Sequence, residues 1–194
     1  MFPFSSNSSS SSYIPLLCIR AICELRHLVT LTIGMVTQCS EHGYYALSNL
    51  VNLQSLSLKS LKHFTDSTIS ALATMVHLRF LAMQSMPINL SGLRALRDLT
   101  QLQTLDLEGC PNINDEGMHA IADTFPVLQE LTISCFVDPI TGQHGLLSHG
   151  VWDYLNRYAS PALEYVTIAA VEINAKGKIG SYTIKRKRPF TLLN

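Results

Sequence analysis

The sequence predicts an α/β solenoid of about six repeats, in which a curved parallel sheet lines the concave face and helices cover the convex face. The first observation is a recurring leucine, called here the repeat leucine: Leu28, Leu53, Leu78, Leu102, Leu128 and, in a weaker copy, Leu163. The second is a pair of apolar residues three and five positions later: Leu31/Ile33, Leu56/Leu58, Leu81/Met83, Leu105/Leu107, Leu131/Ile133 and Val166/Ile168. This alternation indicates strands with one buried face.

A second apolar pattern precedes each strand and predicts the helix of each unit. Four apolar residues stand nine, seven, six and three positions before the repeat leucine: Ile19-Ala21-Ile22-Leu25, Tyr44-Ala46-Leu47-Leu50, Ile69-Ala71-Leu72-Met75 and Leu93-Ala95-Leu96-Leu99. The fifth copy, Met118-Ala120-Ile121-Phe125, contains one additional residue. Because this spacing places the apolar side chains on one helical face, each unit is predicted to be a strand, a turn and a helix.

The first half of the chain follows this scheme in order. Residues 1–13 are rich in serine, and we expect them to be disordered because they cannot bury enough apolar area. The repeat domain spans residues 14–174. Its first strands are predicted at 29–33, 54–58 and 79–83, its helices at 43–50, 66–76 and 91–99, and its N-caps at Asp66, Ser91 and Asp115. The array starts within a unit, so we expect either that Ile14, Leu16 and Leu17 cover its end or that the sequence is part of a longer protein.

The pattern breaks after the fifth strand. Residues 137–150 form an irregular loop without a counterpart in the other copies. We expect a helix next, with four residues on one face: Val151, Trp152, Leu155 and Tyr158. The sixth strand is predicted at 163–169. In the basic C-terminal segment, residues 175–194, a weak alternation predicts a hairpin that covers the C-terminal end before a basic tail: Ile179, Tyr182 and Ile184.

Composition excludes several classes of protein. The chain is 47% apolar and only 14% charged, against about a quarter charged in ordinary soluble domains, which favours many buried faces, a surface covered by a partner, or both. No apolar run of about 18 residues is present, so we expect no spanning helix and no membrane partner. Five scattered cysteines without a C-x-x-C pair indicate reduced thiols and a cytoplasmic or nuclear location. Residues 1–174 hold 8 basic and 14 acidic residues, whereas residues 175–194 hold six basic residues and no acid.

The fourth unit carries a family resemblance. It reads L-x-x-L-x-L-x-x-C from Leu102 to Cys110 and continues to Asp115 at the start of a helix. This pattern resembles the leucine-rich repeat over about residues 16–170, in particular the cysteine-containing subtype of F-box ubiquitin-ligase adaptors. The resemblance implies a ribonuclease-inhibitor-like solenoid that binds a protein. The other copies hold different residues at the cysteine position, Val36, Leu61, Met86 and Phe136, and no F-box-like segment is present. The substrate-recognition component of a ubiquitin ligase, truncated or recruited in trans, is therefore the alternative.

The residues between the inward apolar positions are predicted to line the concave face. They are Thr30, Thr32, Ser55, Ser57, Lys59, Phe80, Ala82, Gln84, Thr104, Asp106, Glu108, Glu130, Thr132, Ser134, Tyr165 and Thr167. Aromatic residues dominate interface hot spots and acids steer basic partners. We therefore predict a binding surface for a protein partner with basic character, formed by Lys59, Phe80, Gln84, Asp106, Glu108, Glu130 and Tyr165. A solvated face without a partner is the simpler interpretation.

The sequence contains none of the common catalytic motifs, and we expect a protein that is not an enzyme. The seven histidines are dispersed. Only His144 and His149 lie near each other, in the irregular loop and without a cysteine or acid set, so no metal and no cofactor are predicted. An enzyme that uses this loop is the third possibility. Cys110 and Cys135 have no basic neighbour in sequence and are predicted to be buried.

A basic cluster lies near the end of the sequence: Lys185, Arg186, Lys187 and Arg188. Such a cluster is typical of a nuclear-localisation signal or a nucleic-acid contact, and more simply of a solubilising tail. Only Tyr182 and Phe190 accompany it, so recognition of nucleic acid is not predicted. The whole chain is expected to be a monomer.

Overall fold

The structure, a computed structural model, describes residues 16–36, 39–137, 149–173, 179–187 and 189. Helices and strands alternate along these ranges: α1 (Leu16–Cys23), β1 (Thr30–Gly34), α2 (Glu41–Tyr45), β2 (Ser55–Lys59), α3 (Asp66–Ser70), β3 (Phe80–Gln84), α4 (Leu90–Ala95), β4 (Thr104–Leu107), α5 (Asp115–Thr124), β5 (Glu130–Val137), α6 (His149–Tyr158), β6 (Tyr165–Ile173) and β7 (Ile179–Lys187). Short 3₁₀ turns, Ala46–Asn49 and Ala71–Thr74, follow α2 and α3. The predicted α/β class is confirmed.

Six strands, β1 to β6, form a parallel sheet in chain order. The residues three positions after each repeat leucine are direct partners across the sheet: Leu31, Leu56, Leu81, Leu105, Leu131 and Val166. Because side chains alternate between the two faces of a strand, this register turns all six to the same side. All six are buried in one continuous core. The architecture is therefore that of a repeat-like α/β protein.

The same pair of hydrogen bonds joins each repeat to the next. The carbonyl of the residue after the repeat leucine accepts two backbone N–H groups, and Val29 O accepts from Gln54 N at 2.8 Å and from Ser55 N at 3.0 Å. The pattern recurs at four further carbonyls: Gln54, Arg79, Gln103 and Gln129. Since equivalent atoms are joined every time, the step between repeats is fixed by the backbone even where the sequence spacing changes.

A left-handed residue ends each of the first four strands. The position seven residues after the repeat leucine has φ angles of 54°, 50°, 54° and 76° at Met35, Ser60, Ser85 and Gly109. This region is unfavourable for residues with a Cβ atom, so the first three turns store some strain. At the equivalent positions of the last two repeats, 135 and 170, the strand continues instead, which is why β5 and β6 are longer.

The predicted N-caps are wrong by one or two residues. The residues with cap geometry are Thr65, Asn89 and Asn114, not Asp66, Ser91 and Asp115. Asn89 Oδ1 accepts from Ser91 N at 2.8 Å, and Asn114 Oδ1 accepts from Gly117 N at 3.1 Å. A cap lies outside the helix in extended backbone. The two aspartates instead occupy the first turn, where the helix dipole favours an acid.

The helices also differ from the prediction in detail. Those predicted at 43–50 and 66–76 are α2 and α3, each a short α-helix that a 3₁₀ turn follows. α4 ends at Ala95, before the predicted 99, although Leu96 and Leu99 are still fully buried in the turn that follows. In α6, Val151, Trp152 and Leu155 are buried as predicted, but Tyr158 is exposed. The helix ends at Tyr158, beyond the core.

The predicted hairpin is present, since β7 pairs antiparallel with β6. Its position relative to the basic cluster differs from the prediction. β7 continues to Lys187, so Lys185, Arg186 and Lys187 belong to the strand rather than to a tail behind it. The predicted disorder of residues 1–13 lies outside the described residues, as does most of the irregular loop (138–148).

Replacement of Gly109 by alanine should destabilise the fold by about 1–3 kcal/mol, because Gly109 has a positive φ and an added Cβ would lie 2.7 Å from Ser85 Oγ and 3.2 Å from Ser85 Cα. The matched control is Gly34→Ala, whose Cβ would meet nothing closer than 3.8 Å. It should leave stability unchanged or raise it by up to about 1 kcal/mol. Urea denaturation measures both, and equal effects at the two positions would contradict the assigned turn.

Loss of the Asn114 cap should cost about 1 kcal/mol, because Gly117 N–H loses its acceptor. The comparison of Asn114→Ala with Asn112→Ala, an exposed asparagine of the same turn, isolates the cap from the loss of an amide. Thermal unfolding followed by circular dichroism should show a lower Tm for Asn114→Ala alone. A lower Tm for both variants would argue against capping.

Candidate functional site

One face of the sheet, called here the open face, is formed by the residues that alternate with the buried positions. In β1, Thr30 and Thr32 are exposed while Leu31 and Ile33 are buried. The predicted exposure of Ala82 is wrong, because it is only 2% exposed. Ala82 lies in register between Ser57 and Asp106, and its methyl group is too short to pass these longer neighbours.

Three of the predicted binding residues fall in one row across the open face. Phe80, Glu130 and Tyr165 occupy equivalent register positions, with Thr104 between the first two and Lys187 beyond the third. Neighbouring strands lie about 5 Å apart, so Phe80 and Glu130 are separated by about 10 Å and Glu130 and Tyr165 by about 5 Å at the backbone. This set is called the entry row, because it lies where the strands begin.

The other four predicted residues form a second group near the ends of the strands, called the exit group. Lys59 and Gln84 are register partners. Gln84 Nε2 donates a hydrogen bond to Asp106 Oδ2 at 2.6 Å, and the backbone N–H of Glu108 donates to Asp106 Oδ1 at 2.9 Å. A side-chain hydrogen bond thus joins the exit group across β3 and β4, and Lys59 lies in register beside Gln84.

The entry row and the exit group lie towards opposite ends of the strands. Phe80 and Gln84 stand at the start and end of β3, four residues or about 13 Å apart along the strand. Glu130 belongs to the entry row, whereas Glu108 lies just beyond the end of β4. The acids therefore follow a diagonal across the open face.

Asp106 has a structural task within this diagonal. Both carboxylate oxygens accept hydrogen bonds, one from the Gln84 amide and one from the turn that follows β4. Glu108 and Glu130 have exposed side chains. Asp106 is therefore engaged within the sheet, whereas the exposed Glu108 carboxylate of the same repeat is accessible to a partner.

Phe80 is the largest apolar side chain on the open face that the structure describes, and it is 37% exposed. Its register neighbours are Ser55 and Thr104, two short hydroxylated residues. The ring therefore stands above its surroundings. An exposed aromatic ring with short polar neighbours is a common anchor in protein interfaces.

The basic cluster lies beside the entry row. The backbone of Lys187 pairs with Tyr165, that of Arg186 with Val166 and that of Lys185 with Thr167. Lys187 is exposed, and Arg188 lies outside the described residues. Part of the cluster therefore forms the last strand of the sheet, and charged edge strands discourage pairing with other chains.

Cys110 is fully buried, as predicted. Its thiol donates to Met83 O at 2.9 Å, so it joins the turn of the fourth repeat to the end of β3. Burial raises the pKa of the thiol to about 11. A thiolate, which nucleophilic chemistry requires, is therefore disfavoured at neutral pH. Cys23 and Cys39 are likewise free and buried, whereas the Cys135 side chain lies outside the described part.

His144 and the side chain of His149 lie outside the described residues. The predicted absence of a metal at the irregular loop, and the alternative of an enzyme that uses this loop, therefore stay predictions. In the part of the chain that the structure describes, no three His, Cys, Asp or Glu side chains converge as metal ligands would. The described helices also include none that is long and apolar enough to cross a membrane.

The sequence did not reveal a column of three aromatic rings in tilted contact between α5 and α6. The His119 and Tyr154 ring centroids lie 3.9 Å apart, and those of Tyr154 and Tyr158 lie 4.6 Å apart. Tyr154 OH donates to Asp123 Oδ1 at 3.0 Å, and this bond raises the pKa of the phenol. The four-residue spacing of the tyrosines predicts their contact. His119 and Tyr154 lie on either side of the irregular loop in the sequence, so no local sequence pattern predicts their contact.

Comparison of the sequence with protein-family models and with curated proteins finds no match.

The Cys110 thiol should resist alkylation in the native protein, because it is fully buried and because, with a pKa of about 11, only about one thousandth is thiolate at pH 8. Iodoacetamide at pH 8 followed by peptide mass spectrometry should show modification of Cys110 only after unfolding in urea. Complete modification of the folded protein within minutes would contradict the burial and the hydrogen bond to Met83.

Proposed function

We propose that this chain is a non-enzymatic binding protein whose open face holds a protein partner with an exposed basic segment. The observation that carries the proposal is the exposed Phe80 ring on the same face as the Glu108 and Glu130 side chains. Aromatic anchors provide much of the free energy of protein interfaces. Acids around such an anchor favour partners of the opposite charge.

The spacing of the face suits a macromolecular partner. Phe80 of the entry row and Gln84 of the exit group are separated by about 13 Å along β3, which is longer than a single amino-acid side chain can bridge. The face is also open rather than a deep cavity, whereas small-molecule sites are usually concave and enclosed. An extended or helical segment of another protein can contact both groups at once.

We further propose that the repeat units are leucine-rich repeats. Three features support this class: the pattern of apolar positions, the parallel strands in register, and the Cys110 thiol that donates to the preceding repeat at Met83 O. Leucine-rich-repeat proteins commonly bind partners on the concave sheet face. The resemblance therefore points to the same face as the side-chain chemistry.

The alternative is a substrate-recognition component of a ubiquitin ligase. The position of Cys110 favours it, because the cysteine-containing subtype occurs in F-box adaptors. Co-purification of a cullin-type scaffold with the chain would support this second candidate. A partner set without any ligase component would remove it while leaving the binding role intact.

A double charge reversal tests the acidic part of the face. Glu108→Lys with Glu130→Lys should reduce recovery of the partner about tenfold or more in quantitative affinity purification, which corresponds to about 1.4 kcal/mol. The reason is that two attractive contacts to basic groups become repulsive. Phe80→Ala, measured separately, should reduce recovery of the same partner through loss of the aromatic anchor.

The matched control reverses two exposed acids on helices, Glu116→Lys with Asp153→Lys. It changes the net charge of the chain by the same amount and leaves the open face intact. Both double variants should retain the circular dichroism spectrum of the parent protein. Equal loss of partner in the two double variants would show non-specific charge attraction and refute the assigned face.

A further inference from the structure

The first repeat exposes a surface that every later repeat buries. Leu25 stands three residues before its repeat leucine and is 57% exposed. The equivalent residues of the next four repeats are at most 1% exposed: Leu50, Met75, Leu99 and Phe125. The difference does not come from side-chain type, because Leu50 and Leu99 are also leucines. It comes from the absence, among the described residues, of a repeat packed in front of α1 and β1.

Further positions of the first repeat show the same effect. Ile22 and Leu28 are only partly buried, whereas Leu47 and Leu53 at the equivalent positions are fully buried. Val29 and Met35 have counterparts in later repeats that are also exposed, such as Arg79 and Ser85, but as apolar residues they add apolar area at the two ends of β1, and Met35 is 72% exposed. Together these residues form the N-terminal face: Ile22, Leu25, Leu28, Val29 and Met35. It has the composition of a core cut open, which is typical of homodimer interfaces.

Among the described residues, β1 has one unpaired edge. β1 is the terminal strand of the described sheet and has β2 as its partner on one side. Its sequence, TLTIG, contains no charge and no proline. Natural proteins protect free edges with such residues because an unprotected edge pairs with other chains. The opposite edge is different, since β7 ends in basic residues.

We propose that the N-terminal face is a dimer interface, in which β1 of one copy pairs antiparallel with β1 of a second copy around a two-fold axis. An antiparallel pair of identical strands is self-complementary, as a two-fold interface requires. With the axis perpendicular to the sheet, the two sheets become continuous and the α1 helices meet on the same side. In this dimer the second copy buries Leu25, as neighbouring repeats bury the equivalent residues of the later repeats.

A two-fold pair of copies fits this face better than a head-to-tail stack of copies does. Head-to-tail stacking needs an open repeat face at the other end of the sheet, but there β7 covers the edge of β6 and carries positive charge. The rim of the N-terminal face holds both signs of charge, with exposed Glu24 close in sequence to exposed Arg20 and Arg26. A two-fold axis can bring acids of one copy towards bases of the other, so the contact carries no excess of like charge.

Sedimentation velocity of the full chain tests the proposal over about 1–100 μM. The expected result is a species of twice the 21.5 kDa chain mass, with a population that rises with concentration. Leu25→Glu and Met35→Glu should each weaken dimerisation at least tenfold. The Tm of the parent protein should rise with concentration, because dimerisation stabilises the folded state by mass action. The Tm of the two variants should not.

The matched controls are Val51→Glu and Val76→Glu, which place the same charge at residues that are 44% exposed in later repeats. They should leave the dimer unchanged. Circular dichroism should show that the Leu25 and Met35 variants are folded, because both side chains are already exposed in the single chain. A monomer at 100 μM would overturn the proposal, and it would indicate that another segment or another protein covers this face. A dimer that all four variants leave intact would also overturn it.

Discussion

The structure depends on the register of its parallel strands. Five carbonyls at equivalent positions, from Val29 to Gln129, each accept two N–H groups from the following repeat. These bonds fix which residues lie opposite one another, and a shift by a single residue would turn the core face of a strand towards solvent. The leucines of the core and the polar residues of the open face are thus two consequences of one backbone constraint. The core stabilises the fold through burial of apolar area, so the side chains of the open face are not needed for the core and can contact a partner.

This division explains why residues of similar type have different tasks. Asp106 and Glu108 both belong to the fourth repeat, but the Asp106 carboxylate accepts from Gln84 and from the turn, while Glu108 extends into solvent. Cys110, two residues later, is turned inward and bonds to Met83 O. Within five residues the chain therefore supplies a structural acid, an acid that can meet a partner, and a buried thiol. If two copies pair through β1, their open faces lie on the same side of one continuous sheet, and a partner with two basic segments can bind both.

Much of the fold could be predicted from the sequence, because the period of the leucines reports the register directly. The strands, the order of the sheet elements and the buried apolar positions follow from it. The errors arise where a neighbour in space decides the outcome. Asn89 and Asn114, rather than the residues that follow, cap their helices because backbone conformation selects the cap. Ala82 is covered by adjacent strands. The Gln84–Asp106 hydrogen bond joins residues 22 positions apart, and no local pattern reports it. The candidate site was therefore predicted as a set of residues but not as two separate groups.

In the proposed function the open face, and not the helical side, holds the protein partner. The most direct test places a photo-crosslinking benzoylphenylalanine at Phe80 in one variant and at Tyr158 in another. Both side chains are exposed aromatic residues, at 37% and 55%, but only Phe80 lies on the open face. Irradiation in cell extract should join one protein to the Phe80 variant. Unlabelled parent chain should compete for that protein, and the Tyr158 variant should not capture it. Capture of the same protein from Tyr158 alone, or equally from both positions, would show that the open face is not the binding surface.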